Sequence, residues 1–303
     1  MPCLNTILNE IQTLESEGHQ NAIDLVIKQK ILALNQYTKR NVICYYSGFL
    51  SVEGKQVPNL SIDDMDKNGF MNAIEGLDCD LGLDLILHTP GGSITAAESL
   101  VYYLQKKFGE NIRVIIPQMA MSAGTMIACS SKEIIMGHQS CIGPFDPFVN
   151  GVSAFAVFEE FMRASDEIEE KPHTLPLWQT MLSKYPPAFL EQCEKAIELA
   201  NSIVPTWLKS SMFKNISPDV QSANIQNIMD SLNNPGHTKE HSRHIHFDKA
   251  KELGLNVTSL ESEQKLQELV LSLHHAYTAT FLNCNTAKLI ESHHGRSLIL
   301  NYA

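Results

Sequence analysis

The chain has 303 residues, 44% of them apolar, which is enough for a substantial buried core. Its formal net charge is −11 at pH 7, and no long cluster of Lys and Arg occurs, which excludes nucleic acid and anionic membranes as expected partners. No segment approaches the roughly 20 apolar residues that a membrane-spanning helix requires.

The N-terminal sequence and the cysteines both indicate a reducing compartment. The first residues, MPCLNTILNEIQ, lack the basic region and the apolar core of a signal peptide. The seven cysteines are an odd number, and none forms a CxxC pair. We therefore expect a cytoplasmic protein with free thiols, which binds neither membrane nor nucleic acid.

The first elements in chain order are two helices, over residues 4–17 and 21–37, followed by a strand, Asn41–Ser47. Ser61 is placed to cap a third helix, which would run to about Glu75. These elements precede the most informative part of the chain.

The stretch Leu83–Met136 predicts strand, turn, helix, strand, turn, helix and strand. The apolar strand Leu83–His88 leads to a turn at Gly91-Gly92. The second strand, Arg113–Pro117, leads to Ser122 at another strand-to-helix turn. Because the carboxyl ends of parallel strands share one edge of a sheet, both turns are predicted to face one cleft.

This pair of turns combines the two features that acyl transfer needs. Ser122 offers a hydroxyl nucleophile, and the backbone near Gly92 and Ala123 offers N–H groups for the oxygen that becomes negative. The alternative is an ordinary βαβ unit in which the glycines only make a turn and Ser122 only caps a helix. Spacing alone leaves both interpretations open.

Further elements are predicted in the second half. Residues 141–148, CIGPFDPF, form a rigid turn in which Asp146 is expected to hold the backbone. A long amphipathic helix covers Pro187–Val204, with Pro205 as a kink or stop. A last helical region runs from residue 261 to about 290, and the tail after it is expected to be a strand or an oligomer contact.

Two segments, HTPGGSITAAESLVYYL and MAMSAGTMIACSSKEIIMG, resemble the ClpP and SppA superfamily of serine peptidases. The following CIGPFDPF is similar to the branch called serine dehydrogenase proteinase. The resemblance covers roughly residues 40–260 and is strongest from 83 to 148. It implies an α/β fold, the ClpP/crotonase-like βαβ spiral. The implied organisation is a helical extension over 1–40, a peptidase domain over 41–260 and a helical region over 261–303.

The resemblance also implies roles for particular residues. Ser122 corresponds to the nucleophile of the family, and Gly91 or Gly92 with Ala123 corresponds to the oxyanion hole. The general base stays open, since ClpP uses a histidine with an acid and SppA uses a lysine. Lys184 is the first candidate and Lys171 the second. His138 and His173 are the alternatives.

Histidines crowd a short segment near residue 240, at His237, His241, His244 and His246. A metal would need three or four of these nitrogens to converge on one point. Pro235 and the alternating HIHF pattern argue against the helix that would bring them together. We therefore expect neither a metal nor another cofactor.

The leading hypothesis is a serine-type endopeptidase that acts on peptide or protein substrates. The resemblance implies that it works as a homo-oligomer. One alternative is a catalytically inactive ClpP-like scaffold or binding protein. Another is a crotonase-like acyl-CoA enzyme, which would use similar amides but would have no need of Ser122 as a nucleophile.

Overall fold

A computed structural model describes residues 2–52, 55–234, 236 and 240–302. Its centre is a seven-stranded sheet in the order β10-β5-β3-β2-β1-β11-β12. The first five strands in this order are parallel, and the last two are antiparallel. The strands are β1 (Asn41–Ser47), β2 (Leu83–His88), β3 (Ile112–Ile116), β5 (Glu133–Met136), β10 (Val257–Ser259), β11 (Thr286–Ser292) and β12 (Ser297–Asn301).

Helices cover both faces of this sheet, which explains why the central strands are almost continuously apolar. One face packs against α1 (Leu4–Ser16), α2 (Ala22–Thr38) and α11 (Gln264–Asn283). The other face packs against α3 (Asp66–Ile74), α4 (Ile94–Phe108), α5 (Ala123–Cys129), the second half of α8 (Phe189–Ser210), α9 (Pro218–Leu232) and α10 (Phe247–Glu252). The predicted α/β architecture is therefore confirmed.

A second, three-stranded sheet lies at the carboxyl edge of the large one. It contains β4 (Met119–Ala120), β6 (Cys141–Ile142) and β9 (Ile245–His246). β4 and β6 are parallel, and β9 runs antiparallel to β6. The residues that follow β4 and β6 and those that precede β9 are therefore brought to the same edge.

An arm with a small apolar cluster of its own follows this sheet. It contains β7 (Phe148–Val149), β8 (Val152–Ser153), α6 (Ala154–Glu170), α7 (Leu175–Leu182) and the first half of α8. Ser153 caps α6 by accepting a hydrogen bond from the backbone N–H of Ala156.

The two N-terminal helices and the strand–turn–helix order of Leu83–Met136 are confirmed. The helix expected from Ser61 begins only at Asp66, because Ile62 pairs with Gly92 instead. Pro205 does not stop α8, whose following residues are anchored in the core through Trp207.

The C-terminal region is less helical than predicted. Its helix ends at Asn283, and residues 286–292 form a strand that is buried along its whole length. The tail is also a strand, β12, which was one of the two expectations for it. The boundaries at residues 40 and 260 stay predictions.

No helix of the described residues is both long and apolar enough to cross a bilayer.

Candidate active site

Ser122 lies at a sharp turn between β4 and α5. Its backbone has φ 50° and ψ −120°, in the positive-φ region that residues other than glycine rarely adopt. Its residue surface is only partly buried. Backbone strain of this kind persists only where the surroundings impose it, and a serine hydroxyl exposed on a strained strand-to-helix turn is typical of nucleophile sites.

The Gly91-Gly92 turn lies directly against this serine. Thr89 forms a bridge with Ala120, and its N–H donates to the Met119 carbonyl. A Cβ atom added to Gly91 would lie 2.6 Å from the Cβ of Ser122, so only glycine fits there. The two turns that the sequence predicts to share one cleft are therefore in contact.

The backbone N–H groups of Gly92, Ser122 and Ala123 at this junction have no partner among the described residues. The N–H of Gly91 donates to the Thr89 hydroxyl at 3.1 Å. No hydrogen bond joins the N–H of Gly92 or of Ala123 to another group in the described part of the chain. Ala123 is the first residue of α5, where free N–H groups and the helix dipole both favour a negative charge.

An aspartate–histidine pair is held at the same edge of the small sheet. The Oδ1 atom of Asp146, which follows β6, lies 2.8 Å from Nδ1 of His241, which precedes β9. The Asp146 side chain is 3% exposed, whereas that of His241 is 26% exposed. The ring of Phe148 lies 4.2 Å from the His241 ring, centroid to centroid. One ring nitrogen is thus fixed by a buried carboxylate.

The turn that carries Asp146 is tied to the turn that carries Ser122. The Thr125 hydroxyl of α5 donates to the Ala120 carbonyl at 2.9 Å and accepts from the N–H of Gly143 at 3.0 Å. A Cβ atom on Gly143 would lie 2.3 Å from Cε of Met121, the residue before the serine. The same atom would lie 3.6 Å from the carbonyl oxygen of Arg243, which follows His241 by two residues. The segments that carry Ser122, Asp146 and His241 therefore meet at Gly143.

The four predicted bases are all exposed residues. Lys171, His173 and Lys184 are exposed residues of the arm. His138 is 74% exposed, and its backbone N–H donates to Glu261 at 2.9 Å. No hydrogen bond or ion pair joins any of the four to the glycine and serine turns within the described residues.

The sequence pattern predicts a structural role for Asp146 and no site role for His241. The signal that could have identified both is their position beside β6 and β9, which pair with each other next to β4. Each of these strands is only two residues long, too short for a periodic pattern.

The rings of His241 and His246 in this segment are bonded to different partners. His237 lies outside the described residues. The residues that are described contain no group of three or more His, Cys, Asp or Glu side chains that could hold a metal ion. Nδ1 of His241 faces Asp146, and Nδ1 of His246 lies 3.1 Å from the Ser140 carbonyl oxygen.

The chain is similar to one protein family and to two curated proteins. The family model described as ClpP-like SDH-type serine proteinase matches residues 48–280. The uncharacterized protein MJ1495 of Methanocaldococcus jannaschii is 35% identical over 106 residues, which cover 35% of this chain and 36% of that protein. The uncharacterized protein MJ0137 of the same organism is 42% identical over 82 residues, 27% of this chain and 28% of that protein.

The aligned part thus spans about a third of each relative or less. The family model, in contrast, includes both turns of the junction, the Asp146 turn and His241. The chain belongs to the ClpP-like SDH-type serine proteinase family.

Proposed function

We propose that the protein is a serine peptidase in which Ser122 is the nucleophile. The Ser122 hydroxyl attacks the carbonyl carbon of a peptide bond, and the N–H groups of Gly92 and Ala123 donate to the oxygen that becomes negative. The contact between Ser122 and Gly91, with two unpartnered amides beside it, is the observation that carries the proposal.

The proposed general base is His241, in place of Lys184. Asp146 accepts a hydrogen bond from Nδ1 of His241, which leaves Nε2 unprotonated and able to accept the serine proton. The buried carboxylate then stabilises the imidazolium that forms. A lysine base would need a desolvated amine beside the serine, whereas Lys184 and Lys171 are exposed on the arm.

The proton of the Ser122 hydroxyl passes through His241 to the leaving amine. His241 takes it from Ser122 during attack and returns it to the leaving amine when the C–N bond breaks. The acyl group stays on the Ser122 oxygen until a water molecule, activated by the same histidine, releases it. The N-terminal dipole of α5 favours the negative oxygen in both steps.

The test is labelling with a fluorophosphonate probe, which requires an activated serine and an oxyanion hole. We expect the full chain to be labelled at Ser122, and Ser122→Ala to abolish the labelling. Ser153→Ala is the matched control, since Ser153 also caps a helix but lies on the arm, and it should be labelled like the wild type.

Labelling that survives Ser122→Ala would exclude this serine as the nucleophile. A folded wild-type chain that is never labelled would favour the inactive scaffold instead. Cleavage of a fluorescent casein by the wild type, lost in Ser122→Ala, would extend the result from serine hydrolase to peptidase.

A further inference from the structure

A lysine is completely buried beside the glycine turn. Lys288 belongs to β11, and its side chain has 0% exposure. Its Nζ atom donates to Oδ1 of Asp66 at 2.6 Å and to the carbonyl oxygen of Ser61 at 2.7 Å. A buried ammonium is tolerated only when it is paired in this way, so both contacts are needed to hold it.

The carboxylate of Asp66 is itself held at both oxygens. Its Oδ2 atom accepts hydrogen bonds from the Tyr45 hydroxyl at 2.8 Å and from the N–H of Asp63 at 3.0 Å. Burial raises the pKa of the Asp66 carboxyl, and the Lys288 charge opposes that rise. The lysine and the aspartate therefore clamp the Ser61–Asp63 segment from two sides.

The Ser61–Asp63 segment is in turn hydrogen-bonded to the Gly91-Gly92 turn. The N–H of Ile62 donates to the Gly91 carbonyl at 2.7 Å, and the Ile62 carbonyl accepts from the N–H of Ser93 at 2.9 Å. A Cβ atom on Gly92 would lie 2.4 Å from the backbone N and O atoms of Ile62. Ile62 thus bonds to the Gly91 carbonyl and the Ser93 N–H, which lie on either side of Gly92. Because these groups point toward Ile62, the N–H of Gly92 points away from it.

We propose that Lys288 is a positioning residue for the oxyanion hole, because it holds the Ser61 carbonyl and through Ile62 fixes the orientation of the Gly92 amide. This inference rests on the proposed function. Lys288 lies beyond residues 48–280, so the match to the family model does not include it. It acts through the backbone and not on the substrate.

The chain offers a matched control for a merely structural ion pair. Asp84 is also 0% exposed and is paired with Arg40 and Arg113, but it lies at the amino end of β2, away from the glycine turn. A variant there disturbs a buried charge without touching the Ser61–Asp63 segment. Both carboxylates are buried and ion-paired, but only Asp66 is bonded to the Ser61–Asp63 segment.

The experiment compares Lys288→Met/Asp66→Asn, which removes both charges together, with Asp84→Asn and the wild type. The second-order rate of fluorophosphonate labelling is measured at a temperature where circular dichroism shows each protein folded. We expect the double variant to be labelled about 10- to 100-fold more slowly, because a donor displaced by about 1 Å loses that much rate. Asp84→Asn should be labelled at the wild-type rate.

A second readout distinguishes positioning from general loss of stability. Hydrogen–deuterium exchange of the peptide that covers residues 61–93 should speed up at the Ile62 and Ser93 amides in the double variant, and kcat for p-nitrophenyl acetate should fall with little change in KM. An unchanged labelling rate in the folded double variant, or an equal loss in Asp84→Asn, would overturn the inference. If the double variant does not fold, the same exchange and labelling comparison is made with Asp66→Asn alone. Absence of labelling in the wild type would instead contradict the proposed function.

Discussion

The two ends of strand β2 differ in whether the polar groups beside them have hydrogen-bond partners. At the amino end, the buried carboxylate of Asp84 accepts from Nε of Arg40 at 2.6 Å and from Nε and Nη2 of Arg113 at 2.8 and 2.7 Å. At the carboxyl end, the N–H groups of Gly92 and Ala123 have no partner in the described chain, and the backbone of Ser122 is strained. Paired groups stabilise the fold, whereas unpaired ones remain available to a substrate.

The comparison predicts that variants at the carboxyl end lose activity and variants at the amino end lose stability. The largest effect is expected for His241→Ala and Asp146→Asn. Either change removes the base or its fixed tautomer, so the fluorophosphonate labelling rate should fall by about 10³- to 10⁴-fold.

His244→Ala is the control for this pair, because His244 is exposed and three residues from His241. It should be labelled at nearly the wild-type rate. Wild-type labelling in folded His241→Ala would contradict its role and return Lys184 to consideration.

Gly91→Ala should lower the labelling rate by about 10²- to 10³-fold, because its Cβ atom would push on Ser122 and on the Met121 carbonyl, which lies 2.7 Å away. Gly18→Ala is matched in backbone conformation, with φ +92° against +97° for Gly91, but has no atom within 4 Å of the added Cβ. It should lose only about 1 kcal/mol of stability in urea unfolding. Equal labelling rates in the two variants would show that the contact with Ser122 does not matter.

His88 shows that a group near the carboxyl end of β2 can also be fully paired. Burial lowers the pKa of His88 to about 4, although Gln118 and the Ser47 carbonyl bond to its ring. In the unfolded chain a histidine titrates near pH 6.5. Between pH 6.5 and pH 4 this histidine is protonated in the unfolded state and neutral in the folded state, so the free energy of unfolding falls as the pH falls.

The neutral His88 should therefore contribute fully above pH 6.5 and lose about 3 kcal/mol by pH 4. Urea unfolding of the wild type and of His88→Gln at pH 7 and pH 4.5 measures this difference. His274, whose pKa burial lowers to about 3, remains in both proteins. Because a protonated His88 adds to that lowering, the slope that His274 contributes should be slightly shallower in His88→Gln. Parallel pH dependence of the two proteins would contradict the prediction.

The smallest effect is expected at the amino end. Asp84→Asn leaves Arg40 and Arg113 without their carboxylate, and because both arginine side chains reach solvent in part, the loss should be about 2 kcal/mol. Thermal unfolding measures the loss, and the labelling rate of the folded fraction should be unchanged. A lower labelling rate would mean that the two ends of the strand are coupled.

The sequence by itself determined the α/β core and the meeting of the two turns. The apolar strands Leu83–His88 and Ile112–Ile116, each followed by glycine or small residues, require parallel pairing with both turns at one edge. Because these signals are local and strong, the sequence alone predicts that Ser122, Gly91 and Gly92 share one cleft.

Only the tertiary structure decided which groups surround that cleft. His241 is 95 residues from Asp146 in sequence, and strands of two residues bring them together. Lys288 contacts Ser61, 227 residues away in sequence, from a strand whose first residues the sequence pattern predicts to be helical. Side-chain contacts of this kind depend on packing between distant segments, which no periodicity in either segment records.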